Sequence, residues 1–172
     1  MENKDIIIYG AYGYTGELIA RKCLELGIKP LLSGRNEAKL KPIAEKYDLP
    51  YKVADLTTSD LDGLLTGAKV VIHAAGPFIH TSKPMVEACI RNKVHYTDIT
   101  GEIAVFVQAR KYDEQAKAAG VMLLPGTGFD VVPSDCLAAH LKSRMADADD
   151  LVLAFYGTGR ASRGTSLTVV EG

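Results

Sequence analysis

Apolar positions along the chain change their period again and again, and each change marks an element. A β-branched run over residues 5–9 ends at Gly10 and predicts a buried parallel strand. From Thr15 the spacing turns helical, with Leu18, Ile19, Cys23 and Leu24 on one face and Gly27 as the stop. The same alternation predicts strands over 30–33, 51–54, 70–74, 95–98 and 121–124. Between and after them it predicts helices over 37–47, 59–65, 83–92, 103–119 and 134–144. Six strands alternating with helices predict an α/β fold, a doubly wound parallel Rossmann sheet with strand order 3-2-1-4-5-6.

That sheet is complete by about residue 125, so residues 1–146 form one dinucleotide-binding domain in this scheme. An acidic patch over 147–150 is followed by an apolar run, 151–156, that predicts a new strand. Beyond it come GTGRASRG and a helix-like stretch to Gly172. Residues 147–172 are therefore expected to open a second domain that is cut short.

The expected chemistry starts at the first turn. Gly10, Gly13 and Gly16 form G-x-x-G-x-x-G between the first strand and the first helix. A tight turn there lets backbone N–H groups approach a pyrophosphate at the helix N-terminus. The spacing alone is a weak signal; its place between strand and helix carries the assignment. Tyr12, Tyr14 and Thr15 complete the turn and join the glycines as candidate cofactor contacts.

At the end of the second strand an NAD site usually carries an acid for the ribose hydroxyls, but this chain reads Leu32-Ser33-Gly34-Arg35-Asn36. Arg35 can face a 2′-phosphate with its planar fork, and Ser33, Asn36 and Lys39 offer further donors, so NADP is favoured over NAD. The competing role for Ser33 and Asn36 is to cap the helix over 37–47, with Arg35 simply solvated. Asp55 and Leu56, after the third strand, would sit beside the adenine, and an N-cap role for Asp55 is as well supported.

The fourth strand ends in small residues, and Ala75, Gly76, Pro77 and Phe78 form a second candidate wall against the cofactor. His73, inside the apolar run, reads as a hydrogen-bonded core histidine, and His80 on the following loop is better placed for chemistry. Tyr96, Asp98 and Glu102 lie at the carboxyl edge of strand five and are the candidate catalytic residues. Capping of the next helix by Asp98 or Thr100, with Glu102 in its first turn, is an equal alternative.

Composition narrows the partners. The formal charge is -1, with acids and bases well mixed, so no basic field is present to attract nucleic acid. A small-molecule substrate fits better. The isoleucine run near the N-terminus falls far short of a membrane span, which points to a cytoplasmic protein. Cys23, Cys89 and Cys136 are odd in number and widely separated, so they are expected as buried free thiols, with no metal site. A homodimer is the expected assembly wherever an apolar sheet or helix surface is left uncovered.

Several motifs together resemble the saccharopine dehydrogenase-like oxidoreductases, including the trans-acting enoyl reductase relatives. They are GAYGYTGELIA at 10–20, SGRNEAKL at 33–40, AAGPF at 74–78, EAC at 87–89, HYTDITGE at 95–102 and PGTGFDVVPSD at 125–135. The resemblance implies NADP(H)-dependent hydride transfer with a carbonyl, imine or activated alkene, and a second, largely β domain covering the nicotinamide. A short-chain dehydrogenase mechanism is disfavoured, because no tyrosine is followed by lysine four residues on. The alternative from another class is a non-catalytic NADP(H)-binding sensor or scaffold.

Overall fold

The computed structural model describes residues 5–57, 60–129, 131–154 and 156. Its elements run β1 (Ile6–Tyr9), α1 (Tyr14–Glu25), β2 (Leu31–Gly34), α2 (Glu37–Tyr47), β3 (Tyr51–Val53), α3 (Asp60–Leu65) and β4 (Val70–His73). They continue with α4 (Phe78–Asn92), β5 (His95–Asp98), α5 (Ile103–Arg110), α6 (Asp113–Ala119), β6 (Leu123–Leu124) and α7 (Val132–Arg144). The six strands make one sheet in the order β3-β2-β1-β4-β5-β6, every pairing parallel. This is the expected topology.

Both faces of the sheet are covered, which explains why β1 is apolar at successive positions and does not alternate. Ile7 and Tyr9 join Val71 and Tyr96 in one core, packed on Leu61 and Leu64 of α3 and Met85 and Cys89 of α4. Ile8 and Leu32 enter the opposite core with Ala20 and Cys23 of α1 and Leu40 and Ala44 of α2. Ile7 and Ile8 are fully buried, and each such side chain contributes about 2 kcal/mol of transfer free energy.

A polar row crosses the carboxyl end of the first core. Register places Tyr9 beside His73 and His73 beside Asp98. Tyr9 donates its hydroxyl to the Ala54 carbonyl at 3.0 Å. The Thr81 hydroxyl lies 2.7 Å from the Ala75 carbonyl and 3.0 Å from that of Pro77, so its single proton is directed to a carbonyl. His73 Nε2, 3.1 Å from the same oxygen, must then be the donor. Its Nδ1 is left buried without a partner, consistent with a neutral ring whose pKa burial pushes down to about 3. His73 is the core histidine that its apolar setting suggested.

Asp98 ties the end of β5 to the loop after β6. Its Oδ1 accepts from the backbone N–H groups of Thr100 at 3.0 Å and Gly126 at 2.8 Å, and its Oδ2 accepts the Tyr96 hydroxyl at 2.6 Å. Its carbonyl accepts both the amide and the hydroxyl of Thr127, at 2.8 and 2.7 Å. Burial pushes the Asp98 carboxyl up, while these donors pull it back toward ionisation.

Several boundaries differ from those the sequence pattern predicts. Helix α4 begins at Phe78 rather than at 83, so Pro84 lies inside it. Its early start is supported from outside the segment, by a carboxylate of the β5–α5 loop that meets its first amides. The expected single helix over 103–119 is two, because the chain tightens at Lys111 and Tyr112 into bonds to Gln108 and Ala109. There the Tyr112 hydroxyl is anchored on Glu87 of α4 at 2.7 Å. Strand β6 is only two residues, since the Val121 amide still bonds back to Ala116 of α6.

Cys23 and Cys89 are buried, but Cys136 is exposed, because among the described residues of α7 only Ser134 is buried. Residues 151–154 and 156 adopt no strand, having no ladder partner among the described residues; the helix-like stretch to Gly172 lies outside them. No described helix is long and apolar enough to cross a membrane, and no described cluster of His, Cys, Asp or Glu could hold a metal.

Removing the Asp98 carboxylate should leave two amides and a phenol buried without an acceptor. Asp98→Ala is therefore expected to lower the unfolding free energy by about 3 kcal/mol, and Asp98→Asn by about 1 kcal/mol, in urea denaturation. For His73 the folded pKa lies below that of the unfolded chain, so unfolding takes up a proton and stability falls as pH drops below about 6.5, levelling near 3. The slope approaches about 1.4 kcal/mol per pH unit, and His73→Phe should abolish that share in unfolding curves collected from about pH 7 to about pH 4.

Candidate cofactor site

The strand order reverses between β1 and β4, and in such sheets ligands bind in the crevice beyond the carboxyl ends at that point. The chain leaves β1 into Gly10, whose φ is +86°. Its N–H and that of Ala11 both donate to the Ser33 carbonyl, at 2.8 and 3.1 Å, which fixes the turn to β2. A Cβ on Gly10 would lie 2.9 Å from the backbone of Ala74 and Ala75, so the ends of β1 and β4 touch there. At residue 16 a Cβ would sit 2.3 Å from the Gly10 carbonyl oxygen, closer than any side chain allows. These two glycines let α1 start directly over the end of β1.

Gly13 is the N-cap of α1 and supplies no side-chain bond to its first turn. An uncapped N-terminus carries a partial positive charge and unpaired N–H groups, which fit the phosphates of a dinucleotide. Thr15 is half-buried in that turn, and Tyr14 is 72% exposed beside it. Tyr12 lies across the end of β2, its ring 2.5 Å from where a Cβ of Gly34 would be, so Gly34 is needed for the ring to lie there.

Beyond Gly34, Arg35 and Lys39 are exposed. Asp55 accepts the amide and hydroxyl of Thr57, at 2.9 and 2.8 Å; these bonds hold its carboxyl low, and Arg35 lowers it further. Tyr12, Arg35 and Asp55 thus converge on one end of the crevice, while the Leu56 side chain packs against the first core. Asp55 holds a local turn through Thr57, and α3 is described from Asp60. Asn36 does cap α2, accepting the Lys39 amide at 3.1 Å. Ser33 is fully buried, its hydroxyl donates to the Lys52 carbonyl at 2.8 Å and its own carbonyl takes the Gly10 and Ala11 amides, so its polar groups serve the fold.

At the other end, the loop from Ala74 to Pro77 leads from β4 into α4, with a cis peptide between Gly76 and Pro77. Ala75 is half-buried and Gly76 exposed, while the Phe78 ring is buried edge-on against His73. The sequence pattern missed Thr81 as a holder of this loop. Its one signal was local: it stands four residues after Pro77, within reach of that carbonyl.

The three candidate catalytic residues are placed differently from expectation. Tyr96 and Asp98 are both 0% exposed and bonded to each other on the face of the sheet packed against the helices. Glu102 is half-buried and accepts the amides of Phe78 and Ile79 at 3.0 and 2.8 Å. Its own amide donates to the Thr100 hydroxyl at 3.0 Å. All three are engaged in holding the chain, and His80 lies exposed in the first turn of α4.

Comparison with known proteins matches this arrangement. The family model described as the saccharopine dehydrogenase NADP binding domain covers residues 6–124. A trans-acting enoyl reductase of Mycobacterium ulcerans is 30% identical over 97% of this chain and 44% of its own length. The human saccharopine dehydrogenase-like oxidoreductase is 25% identical over 94% of this chain and 43% of its own length. The chain thus spans less than half the length of these curated relatives. Apo saccharopine dehydrogenase (L-Glu forming) from Saccharomyces cerevisiae shares the fold, with a TM-score of 0.72 at 19% identity over 84% of this chain and 32% of that one. A match covering residues 6–124, on a sheet of this order with an uncapped glycine turn at its switch point, places the chain in the saccharopine dehydrogenase NADP-binding domain family.

Proposed function

We propose that this chain forms the NADP(H)-holding part of an oxidoreductase whose substrate is a carbonyl, imine or activated alkene. One observation carries the proposal: α1 begins over the end of β1, at the switch point, with no side-chain cap. The first-turn amides of α1 hold the pyrophosphate, and the close contact of Gly10 with Ala74 and Ala75 leaves no side chain between the two halves of the crevice. Arg35 and Lys39, exposed after β2, whose end at 32–36 carries no acid, hold the 2′-phosphate; Tyr12 and Asp55 flank the adenosine.

A nicotinamide held in this way would supply the hydride for the acceptor carbon. The chain's part at that end is the Ala75–Gly76 backbone, which lets the ribose and ring approach closely. Since Tyr96 and Asp98 are sealed in the core and Glu102 is bonded to α4, the balancing proton is assigned to water or to a group outside the described residues. Among the three acceptor classes the activated alkene is favoured, because relatives at about 30% identity carry the name enoyl reductase.

Titration calorimetry with NADPH and, separately, NADH tests this directly. Wild type should prefer NADPH, and Arg35→Ala should weaken NADPH about tenfold or more while changing NADH by no more than about twofold. Gly16→Val should abolish binding of both by driving α1 off β1. Failure of the wild-type chain to bind either cofactor would overturn the proposal, and equal loss of both ligands on replacing Arg35 would overturn its 2′-phosphate role.

A further inference from the structure

Two helices start at the carboxyl edge of this sheet near the switch point, and their N-termini are treated in opposite ways. Helix α1 is left open: its N-cap is a glycine with no side-chain bond. Helix α4 has Pro77 as its N-cap, a residue with no side-chain acceptor, yet its first two amides are both bonded. Glu102 reaches across from the β5–α5 loop, taking the Phe78 N–H on Oε1 at 3.0 Å and the Ile79 N–H on Oε2 at 2.8 Å. A two-oxygen carboxylate on the positive end of a helix is the strong, charge-assisted form of such a cap.

We propose that Glu102 is the positioning residue for the nicotinamide half of the site, holding the β4–α4 loop at the distance the cofactor requires and closing α4 to phosphate. The proposal rests on the NADP(H) assignment above. Geometry supports it from both polarities of the loop. Glu102 holds the amides on the α4 side, while the Thr81 hydroxyl lies within bonding distance of the Ala75 and Pro77 carbonyls, at 2.7 and 3.0 Å. Gly76, between them, is exposed and makes no hydrogen bond among the described residues, so its peptide is free for a ligand. Glu102 is itself seated by Thr100, whose own amide is held by Asp98, so the wall is referred back to β5. With the α4 amides satisfied by a negative charge, a pyrophosphate is directed to α1.

In a parallel sheet of this order the half from β4 onward serves the nicotinamide, and the half from β1 to β3 the adenosine. The test therefore compares NADPH with adenosine 2′,5′-bisphosphate, which probes the adenosine half alone. Glu102→Gln keeps the side-chain shape but loses the charge and one acceptor oxygen. It should weaken NADPH about tenfold and leave the bisphosphate within about twofold. The Phe78 and Ile79 amide proton resonances should move upfield in the same variant. Glu102→Ala should show a larger loss; should it fail to fold, Glu102→Gln decides.

Asp62→Ala serves as a control. It removes the bonds of Arg91 and Asn92 that hold the other end of α4, at 3.0 and 2.6 Å, and should lower stability with NADPH affinity unchanged. NADPH affinity in Glu102→Gln equal to wild type, or an equal loss of both ligands, overturns the positioning role. Absence of NADPH binding by wild type overturns the cofactor assignment and this role with it.

Discussion

A close contact between backbone atoms governs this structure: α1 lies so near the end of β1 that the Gly10 carbonyl oxygen occupies space where any Cβ on residue 16 would have to be. Because the helix begins there, its N-terminal amides emerge at the carboxyl edge of the sheet, in the gap opened by the reversal of strand order. Gly10 adds a second contact, backbone to backbone with Ala74 and Ala75, so β1 and β4 meet at the same spot. The crevice is thus a consequence of topology, and the glycines keep it free of side chains.

Around that contact the polar groups divide into those that hold the protein and those that stay exposed. Asn36, Asp98 and Glu102 bond to backbone amides of their own chain. Ser33 and Thr81 bond to its carbonyls. Arg35, Lys39, the peptide of Gly76 and the first turn of α1 stay on the open side. An element terminus needs its amides satisfied, and where a side chain supplies the partner the terminus is structural. Where none does, at α1, the terminus is available to an anion.

Sheet parity explains why Tyr96 and Asp98, at the end of β5, are buried. Tyr96 and Asp98 are two residues apart and so share a face of the sheet. That face is the one carrying Val71, Ile7 and Tyr9, packed on α3 and α4. A carboxylate enclosed there must be fully hydrogen-bonded, and Asp98 accepts two amides and a phenol. The motif therefore places Gly126 and Thr127 after β6 and, through Thr100, Glu102 beside α4.

Much of the molecule is legible along the chain because it follows from short-range rules. The doubled burial of a parallel sheet forces unbroken apolar runs such as Ile6 to Ile8, and helical spacing follows each run, so strand count, order and the glycine turn could all be read from residue pattern. The missing acid after β2 is equally local. Partners distant in sequence decided the rest: the start of α4 depends on a carboxylate 24 residues away, and the break between α5 and α6 coincides with an anchor on Glu87. Whether Ser33, Asp98 and Glu102 served ligand or scaffold also waited on tertiary structure. Each carries oxygen that could serve either, and only the neighbour brought within about 3 Å by folding selects between them.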